Sequence, residues 1–299
     1  MPGVTDPAGP EPGAFAGTAA RKQWRTVVDR FLRHRAAMAG LVLFVLLLAF
    51  GFLGPAIWTI GLDAGGEAKV APNLAHPFGT DRIGHDMLAA IISGTRYSLQ
   101  IALVVAAVST LLGVVLGALA GYLGGWVDQA VMRVTDAWLA LPSLVFAIFL
   151  SALLGPGVIN IIIVFGLIYW TRYARVMRGE VLSLRERDFV RLAQVAGLSH
   201  WKIIVRHIIP NVLNTWMVLA SLTVGVVIIT EASLSFLGLG VPPPTPAWGL
   251  MLAEARRTLM GGQWWLTVMP GLCISVVVLA ANLFGDWMRV RLDPRQRNL

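Results

Sequence analysis

Residues 137–171 read AWLALPSLVFAIFLSALLGPGVINIIIVFGLIYWT and contain no Asp, Glu, Lys or Arg. A bilayer-spanning helix needs ~20 consecutive, mostly apolar residues, so this run is long enough for most of two spans. Gly155-Pro156-Gly157 interrupts it near the middle, and Gly and Pro together are the strongest local breakers of regular structure. The run therefore predicts two membrane helices, over about 133–153 and 158–178.

Four further runs without formal charge extend this pattern along the chain. They predict spans over about 38–60, 98–121, 211–235 and 264–285. The chain is 57% hydrophobic and only 13% charged, whereas a soluble domain carries roughly a quarter charged residues. Buried helices of a soluble protein are excluded, because such a protein does not need six segments of this length. The fold class is all-α integral membrane, with six transmembrane helices.

The same pattern divides the chain into five segments. The first 20 residues hold no Lys or Arg, a basic cluster follows, and the first apolar run is too long for a cleaved signal. We therefore interpret that run as a retained anchor helix. The predicted segments are an N-terminal tail over 1–35, the anchor over 36–62, an outer loop over 63–97, a five-helix core over 98–287 and a C-terminal tail over 288–299.

Orientation follows from the distribution of basic residues, because cytoplasmic loops carry an excess of Lys and Arg. With the N-terminus inside, all but five of the 24 Lys and Arg face the cytoplasm, the exceptions being Lys69, Arg82, Arg96, Arg256 and Arg257. Both termini are predicted to be cytoplasmic. The net charge of +8 is explained by this topology and by contact with anionic lipid, so no nucleic acid partner is expected.

The sequence lacks the residues of an enzyme or a self-powered pump. Its lysines are Lys22, Lys69 and Lys202, and none follows a glycine, so the phosphate-binding loop G-x-x-x-x-G-K-[ST] is absent. The five histidines lie outside the apolar runs without metal-ligand spacing, and the single Cys273 is best interpreted as a small core residue. We predict no catalytic residue, no metal and no cofactor bound by this chain. If this chain is part of a pump, the motor of that pump is a partner protein.

The connection between the fourth and fifth spans, GEVLSLRERDFVRLAQVAGLSHWKIIVRHIIP (179–210), is unusually long for a membrane bundle. Phe189, Leu192, Val195 and Ala196 recur at helical spacing, which predicts a short amphipathic helix, and Gly197 stands where a helix C-cap is expected. Such a helix suits docking in a groove of another protein. It equally suits a helix lying on the membrane surface, and the pattern does not separate the two.

Small residues in the second predicted span indicate a packing surface. Gly113, Gly117 and Gly121 are spaced four apart, on one helix face, and let another helix approach closely. The sequence does not say whether that helix belongs to this chain or to a partner.

Residues at the predicted membrane interfaces are interpreted as contacts with lipid. Arg172, Arg175 and Arg178 at the inner end of the fourth span are expected to bind lipid headgroups. Trp58, Trp264 and Trp265 are expected to form an aromatic belt at the outer interface.

The cytoplasmic segment resembles the coupling-helix motif of ABC importer permeases, Glu-Ala-Ala, three residues, Gly and a later Pro. Here it reads Arg191-Leu192-Ala193, then Gln-Val-Ala, Gly197 and later Pro210, so Arg191 stands in place of the usual Glu. The resemblance implies that this segment, over about 189–201, grips a partner ATPase. The residues that it assigns to ATPase coupling are Phe189, Arg191, Ala193, Gly197, Leu198 and Trp201.

Two further segments resemble the dipeptide/oligopeptide group of these permeases, on the side of the C-type subunit. HPFGTDRIGHD (76–86) is similar to that group's H-P-x-G-T-D-x-x-G-R-D, and EASLSFLGLGVPPPTPAWG (231–249) also fits. The resemblance makes Glu231, Ser235, Asp81 and Arg82 candidates for the outer gate or pathway. From spacing alone, Glu231 lies ~30 Å beyond Pro210, near the outer interface, where a solvated or capped helix end is an equally simple interpretation.

The resemblance covers about residues 25–295 and implies a subunit of a type I ABC importer in the cytoplasmic membrane. The implied partners are a homologous second permease, two ATPase subunits that bind ATP and Mg, and an extracytoplasmic peptide-binding protein. The implied cargo is dipeptides or oligopeptides, with nickel chelates, glutathione or sugars as alternatives. A secondary transporter or channel working alone, and a membrane scaffold, remain alternatives of other classes.

Overall fold

The structure, a computed structural model, describes residues 35–58, 66–256 and 261–292. Residues 1–34 of the predicted tail over 1–35, and residues 293–299 of the predicted C-terminal tail, lie outside this part. The described helices, in chain order, are α1 (Arg35–Ile57), α2 (Met87–Leu123), α3 (Gly125–Leu139), α4 (Ser143–Leu154), α5 (Val158–Arg185), α6 (Asp188–Val195), α7 (His200–Ile203), a π-helical turn (Ile204–Ile208), α8 (Ile209–Phe236), α9 (Trp248–Ala255) and α10 (Trp265–Leu292).

Five of the described helical segments are long and apolar enough to cross a membrane. They are α1, α2, α5, α10 and the continuous segment His200–Phe236 formed by α7, the π turn and α8. The pair α3 and α4 makes a sixth if this bent pair counts as one span. The all-helical prediction is confirmed, and the break at Gly155-Pro156-Gly157 lies where α4 ends and α5 begins.

The third predicted span, 133–153, is wrong as a single helix. It is two helices, α3 and α4, which meet at an angle of 93°. The break lies at Pro142, which has no N–H to donate to the preceding turn and pushes Leu141 away from the helical conformation. Because residues 137–171 contain no charge on either side of Pro142, the sequence predicted one helix that continues through this proline.

Two other helix boundaries differ from the predictions. α2 begins at Met87 rather than 98, because the Asp86 side chain caps it by accepting from the Ala89 N–H at 2.8 Å. Arg96 therefore lies inside the helix and not in the preceding loop. The fifth span begins at His200 rather than 211, and Pro210 does not break it, because the π turn before Pro210 pairs the Ile209 N–H with the Ile204 carbonyl.

α2 lies at the centre of the bundle and packs against α5, α8, α1 and α3. α10 packs against α8, α1 and α9. The structure therefore has two ends, which we name by their short helices. At the α9 end, the loop 66–86 leads into the start of α2, while at the α6 end the last turn of α2 meets α6 and α7.

Candidate docking surface and gate residues

α6 is an amphipathic helix whose two faces differ sharply in burial. Val190 and Ala193 are buried in a core cluster with Met177 and Val181 of α5. Leu192 and Val195 point away from that core, with 67% and 86% of their surfaces exposed. Phe189 is partly exposed at the edge of the helix, at 39%. The body of the protein thus covers one face of α6 and leaves an apolar face open.

A Schellman motif ends α6 at the predicted glycine. Gly197 has φ +74°, its N–H donates to Gln194 O at 3.0 Å, and the Leu198 N–H donates to Ala193 O at 3.2 Å. These two bonds satisfy carbonyls that the helix end leaves free, and a positive φ favours glycine. The predicted coupling helix over 189–201 is therefore two helices with a sharp turn between them. Trp201 lies in α7, beyond the turn, and is 66% exposed.

The turn between α6 and α7 is fastened to the end of α2. The Tyr122 hydroxyl lies 3.2 Å from His200 Nδ1 and 3.4 Å from Gln194 Nε2, and the Tyr122 and His200 rings meet edge to face at 5.6 Å. Tyr122 itself is buried. The sequence analysis missed this contact, because an aromatic residue near the end of an apolar span looks like any other interfacial residue.

Arg191, the departure from the resembled motif, is exposed on α6. Its guanidinium forms an ion pair with Glu186, just before the helix, and 60% of the Arg191 side chain and 67% of the Glu186 side chain are accessible. An ion pair this exposed contributes little to stability. Both groups remain available to a partner.

The glycine seam of α2 packs against α5 of the same chain, which answers the question left open by the sequence. A Cβ on Gly113 would lie 2.2 Å from Tyr173 Cβ, one on Gly117 would lie 2.5 Å from Ala174 O, and one on Gly121 would lie 2.8 Å from Arg178 O. Only a hydrogen atom fits at these three positions. The three glycines therefore let α2 and α5 approach closely within this chain.

Two of the three α5 arginines that are predicted to bind lipid headgroups have carboxylate partners within the chain. Arg178 holds Asp128 with two hydrogen bonds, from Nε and Nη2, and Arg175 pairs with Asp136. Both carboxylates lie on α3, so these ion pairs fasten α3 to α5. The acidic partners are far away in sequence, which is why a local pattern could not identify them.

Glu231 is buried, with 2% of its surface exposed. Of the solvated or capped helix end that the spacing predicts, the solvated form is therefore wrong. Its Oε1 accepts from Ser235 Oγ at 2.6 Å, and Ser235 Oγ in turn accepts from the Val241 N–H at 3.1 Å. The chain folds back here because α8 ends in a second Schellman turn, with Gly238 at φ +81°. Glu231 and Ser235 therefore hold the loop that follows α8 and do not face open solvent.

The loop after α8 and the start of α9 pack so closely against α8 that each requires a glycine. A Cβ on Gly240 would lie 1.9 Å from Ser235 Oγ, and one on Gly249 would lie 2.5 Å from Ala232 O. Gly249 brings α9 against α8. The motif 231–249 is thus one compact unit at the α9 end.

Asp86 makes the hydrogen bonds that hold the motif 76–86 at the α9 end. Its carboxylate is fully buried and receives His76 Nδ1 at 2.7 Å, Trp58 Nε1 at 3.0 Å and the Ala89 N–H. Trp265 is also buried and donates to Thr80 O at 3.2 Å. The aromatic-belt interpretation is therefore wrong for Trp58 and Trp265, whose indole N–H groups bind the protein. Trp264 is 54% exposed and remains consistent with it.

Asp81 and Arg82 lie on the wall of an open cleft of about 690 Å³ at the α9 end. Asp81 Oδ1 accepts from the Ile83 and His85 N–H groups, and its Oδ2 lies 3.2 Å from His85 Nδ1. The cleft is also lined by Pro243, Pro244 and Pro246 of the loop after α8 and by Met251 and Glu254 of α9. Asp81 and Arg82 thus share a cleft, whereas Glu231 and Ser235 are buried, so the four gate candidates do not form one site.

No metal centre is apparent within the described ranges, since no three His, Cys, Asp or Glu side chains there could hold an ion together. Cys273 is partly buried against the main hydrophobic core. The notable features are therefore the exposed apolar face of α6, the attachment of that helix to α2 and α5, and the cleft at the opposite end.

Comparison with known proteins identifies the class of protein to which this chain belongs. The family model described as "Binding-protein-dependent transport system inner membrane component" matches residues 113–298, and the N-terminal transmembrane domain of oligopeptide transport permease C matches residues 22–76. The chain belongs to the family of inner membrane components of binding-protein-dependent transport systems. It is thus a permease subunit of the ABC importer class and an inner membrane protein.

Several relatives cover nearly the whole chain. A putative peptide transport system permease protein of Brucella abortus is 40% identical over 89% of this chain and 90% of its own length. The oligopeptide transport system permease protein OppC of Escherichia coli K12 is 38% identical, with 93% of each chain covered. The glutathione transport system permease protein GsiD of Pectobacterium atrosepticum is 36% identical, again with 93% of each covered.

Proposed function

We propose that this chain is one of two permeases that enclose the pathway of an ATP-driven importer of short peptides. The observation that carries the proposal is α6, a helix with an exposed apolar face that is anchored on its other face to two long spans. An isolated helix of eight residues would be unstable in water, so a rigid, exposed one needs a reason to be held in place. Docking of a cytoplasmic ATPase on this face supplies that reason.

The mechanism follows from how α6 is attached. ATP binding in the partner subunits would draw them together and displace α6. Tyr122, and the core cluster that holds Val190, Ala193, Met177 and Val181, would pass the displacement to α2 and α5. The glycine seam joins these two helices into one unit. The two helices would then tilt as a body and change which side of the membrane the pathway opens to. Hydrolysis would reset the position.

At the α9 end, we propose that the cleft beside Asp81 and Arg82 meets the extracytoplasmic binding protein, and that the buried Glu231–Ser235 unit keeps the outer gate rigid. This assignment places the α6 end and both termini in the cytoplasm, consistent with the distribution of Lys and Arg. The second permease would be a homologous chain rather than a second copy, as the resemblance to the C-type subunit implies.

The experiment is extraction of the chain from native membranes in mild detergent, with mass spectrometry of the proteins that accompany it. We expect a second six-span permease and one or two ATPases with phosphate-binding loops. Recovery of the chain alone, stable and active in liposomes, would contradict the proposal and favour a self-sufficient carrier or channel.

Cargo is tested by uptake into proteoliposomes of the assembled importer with its own binding protein. We expect labelled di- to oligopeptides to be taken up in an ATP-dependent manner. Because relatives named for oligopeptides and for glutathione are about equally similar to this chain, glutathione and a nickel chelate are the necessary comparison substrates. Uptake of either in preference to peptides would replace the peptide assignment while leaving the importer class intact.

A further inference from the structure

The outward face of α6 carries a positive charge, Arg191, beside its apolar centre. The helix repeat of 3.6 residues puts Arg191, Leu192 and Val195 on the side opposite the buried Val190 and Ala193. Arg191 and Val195 are four residues apart and therefore neighbours on the helix surface. A protein that covers the exposed Leu192 and Val195 must also cover the Arg191 guanidinium.

Covering an arginine in this way is unfavourable unless an acceptor replaces the lost water. A guanidinium removed from solvent without a carboxylate or equivalent acceptor leaves an uncompensated charge, which weakens any complex strongly. Its planar fork is also suited to a two-point contact with a carboxylate. The chemistry of the partner's groove is therefore restricted at this position.

Residues next to α6 in the sequence are positively charged, like Arg191. Arg187, Lys202 and Arg206 are exposed, and none of them has a salt-bridge partner among the described residues. The acidic residues of this stretch are Glu186, which is paired with Arg191, and Asp188, in the first turn of α6. Segment 185–207 is thus basic overall, and a groove that complements it must be acidic.

We propose that the ATPase groove receiving α6 is apolar at its floor and carries a carboxylate opposite Arg191, with Glu186 holding the guanidinium in position until that carboxylate takes over. The proposal rests on the proposed function, since it names the chemistry of the partner at the same surface. It predicts that an ATPase with a basic or neutral residue at that point will not dock on this permease.

The test uses the two-permease unit in nanodiscs, titrated with its own ATPase subunits at several salt concentrations. Arg191→Glu should weaken binding at least about 30-fold, because it replaces an attraction with a repulsion at a covered position. Arg191→Gln should weaken binding less and flatten its salt dependence, because one screened ion pair is lost. Arg133→Glu, an exposed site on α3, makes the same change of charge and serves as the matched control.

Charge exchange gives the decisive comparison. Lysine substitutions at acidic residues of the ATPase groove should include one that weakens binding to the wild-type permease and restores binding to Arg191→Glu. If no such exchange restores it, or if Arg191→Glu binds as well as wild type, the partner carboxylate does not exist. If Glu186→Gln with Asp188→Asn weakens binding as much as Arg191→Gln, this chain neutralises its own arginine and the proposal is overturned.

Leu192→Asp separates this proposal from the one on which it rests. It places a charge in the apolar centre of the face, so it should abolish docking whatever the sign of the groove. Normal docking of Leu192→Asp would contradict α6 as the docking surface altogether. Loss of docking in Leu192→Asp together with normal docking of Arg191→Glu would contradict only the acidic groove.

Discussion

The hydroxyl of Tyr122, in the last turn of α2, lies 3.2 Å from Nδ1 of His200, the first residue of α7. This contact joins the long helix α2 to the turn that follows α6. The same hydroxyl reaches Gln194 of α6, so one side chain touches both sides of the turn at Gly197. A movement of α6 therefore reaches α2 through a polar contact as well as through the apolar core.

Tyr122→Phe removes the hydroxyl and keeps the ring against His200. We expect a loss of about 1 kcal/mol in the attachment of the turn, the usual net contribution of one hydrogen bond. In proteoliposomes, ATP hydrolysis should continue while the number of substrates transported per ATP falls. Trp126→Phe, at an exposed position just beyond the end of α2, is the control. Unchanged coupling in Tyr122→Phe would show that the apolar contacts alone transmit the movement.

Gly117→Val should destabilise the bundle. A Cβ there would lie 2.5 Å from Ala174 O and 2.9 Å from Met177 Cβ, so α2 and α5 must separate to admit the side chain. We expect a loss of about 1–3 kcal/mol, the usual cost of overpacking, measured as a lower midpoint of thermal unfolding in detergent. Gly179→Val, where a Cβ meets nothing within 4 Å, should leave that midpoint unchanged. Equal midpoints for the two variants would contradict the seam.

Gly197→Val tests the turn between α6 and α7 through backbone conformation and not through a clash. No atom lies within 4 Å of a Cβ placed on Gly197, but its φ of +74° costs a β-branched residue about 1–2 kcal/mol. We expect transport to be uncoupled from ATP hydrolysis while the bundle remains folded. Gly197→Asn should retain most of the coupling, because Asn tolerates positive φ better. Uptake at the wild-type rate in Gly197→Val would contradict the coupling role of this turn.

Ser235→Ala should loosen the loop after α8. The hydroxyl donates to Glu231 Oε1 and accepts from the Val241 N–H, so its removal leaves two buried groups without their partner. We expect faster hydrogen exchange at the Val241 amide and in neighbouring loop residues. Glu231→Gln keeps an acceptor oxygen for Ser235 and should exchange like wild type. The prediction would be wrong if Ser235→Ala left exchange at Val241 unchanged.

Most of the fold could be predicted from the sequence because the bilayer makes a simple demand: long apolar runs without charge. Five spans and the break at Gly155-Pro156-Gly157 followed from that demand. The errors arose where charge was a poor guide to backbone conformation. Pro142 breaks a charge-free run, whereas Arg96 lies within a helix that the rule began too late, at 98 instead of Met87.

The candidate site was predicted in part. The amphipathic spacing of Phe189, Leu192 and Val195 and the glycine at 197 identified α6 and its end, because both signals act within a few residues. Tyr122, Asp128 and Asp136 were missed, since each contacts residues that are distant in sequence.

The sequence by itself determined that this protein is a membrane helix bundle with one exposed amphipathic helix, because hydropathy and helical periodicity are local properties. Only the tertiary structure decided which helix the glycine seam of α2 meets, and that Glu231 is buried rather than solvated. It also decided that Arg175 and Arg178 bind carboxylates on α3. Each of these depends on which distant segments become neighbours, and that is fixed by packing between helices and not by any one stretch of sequence.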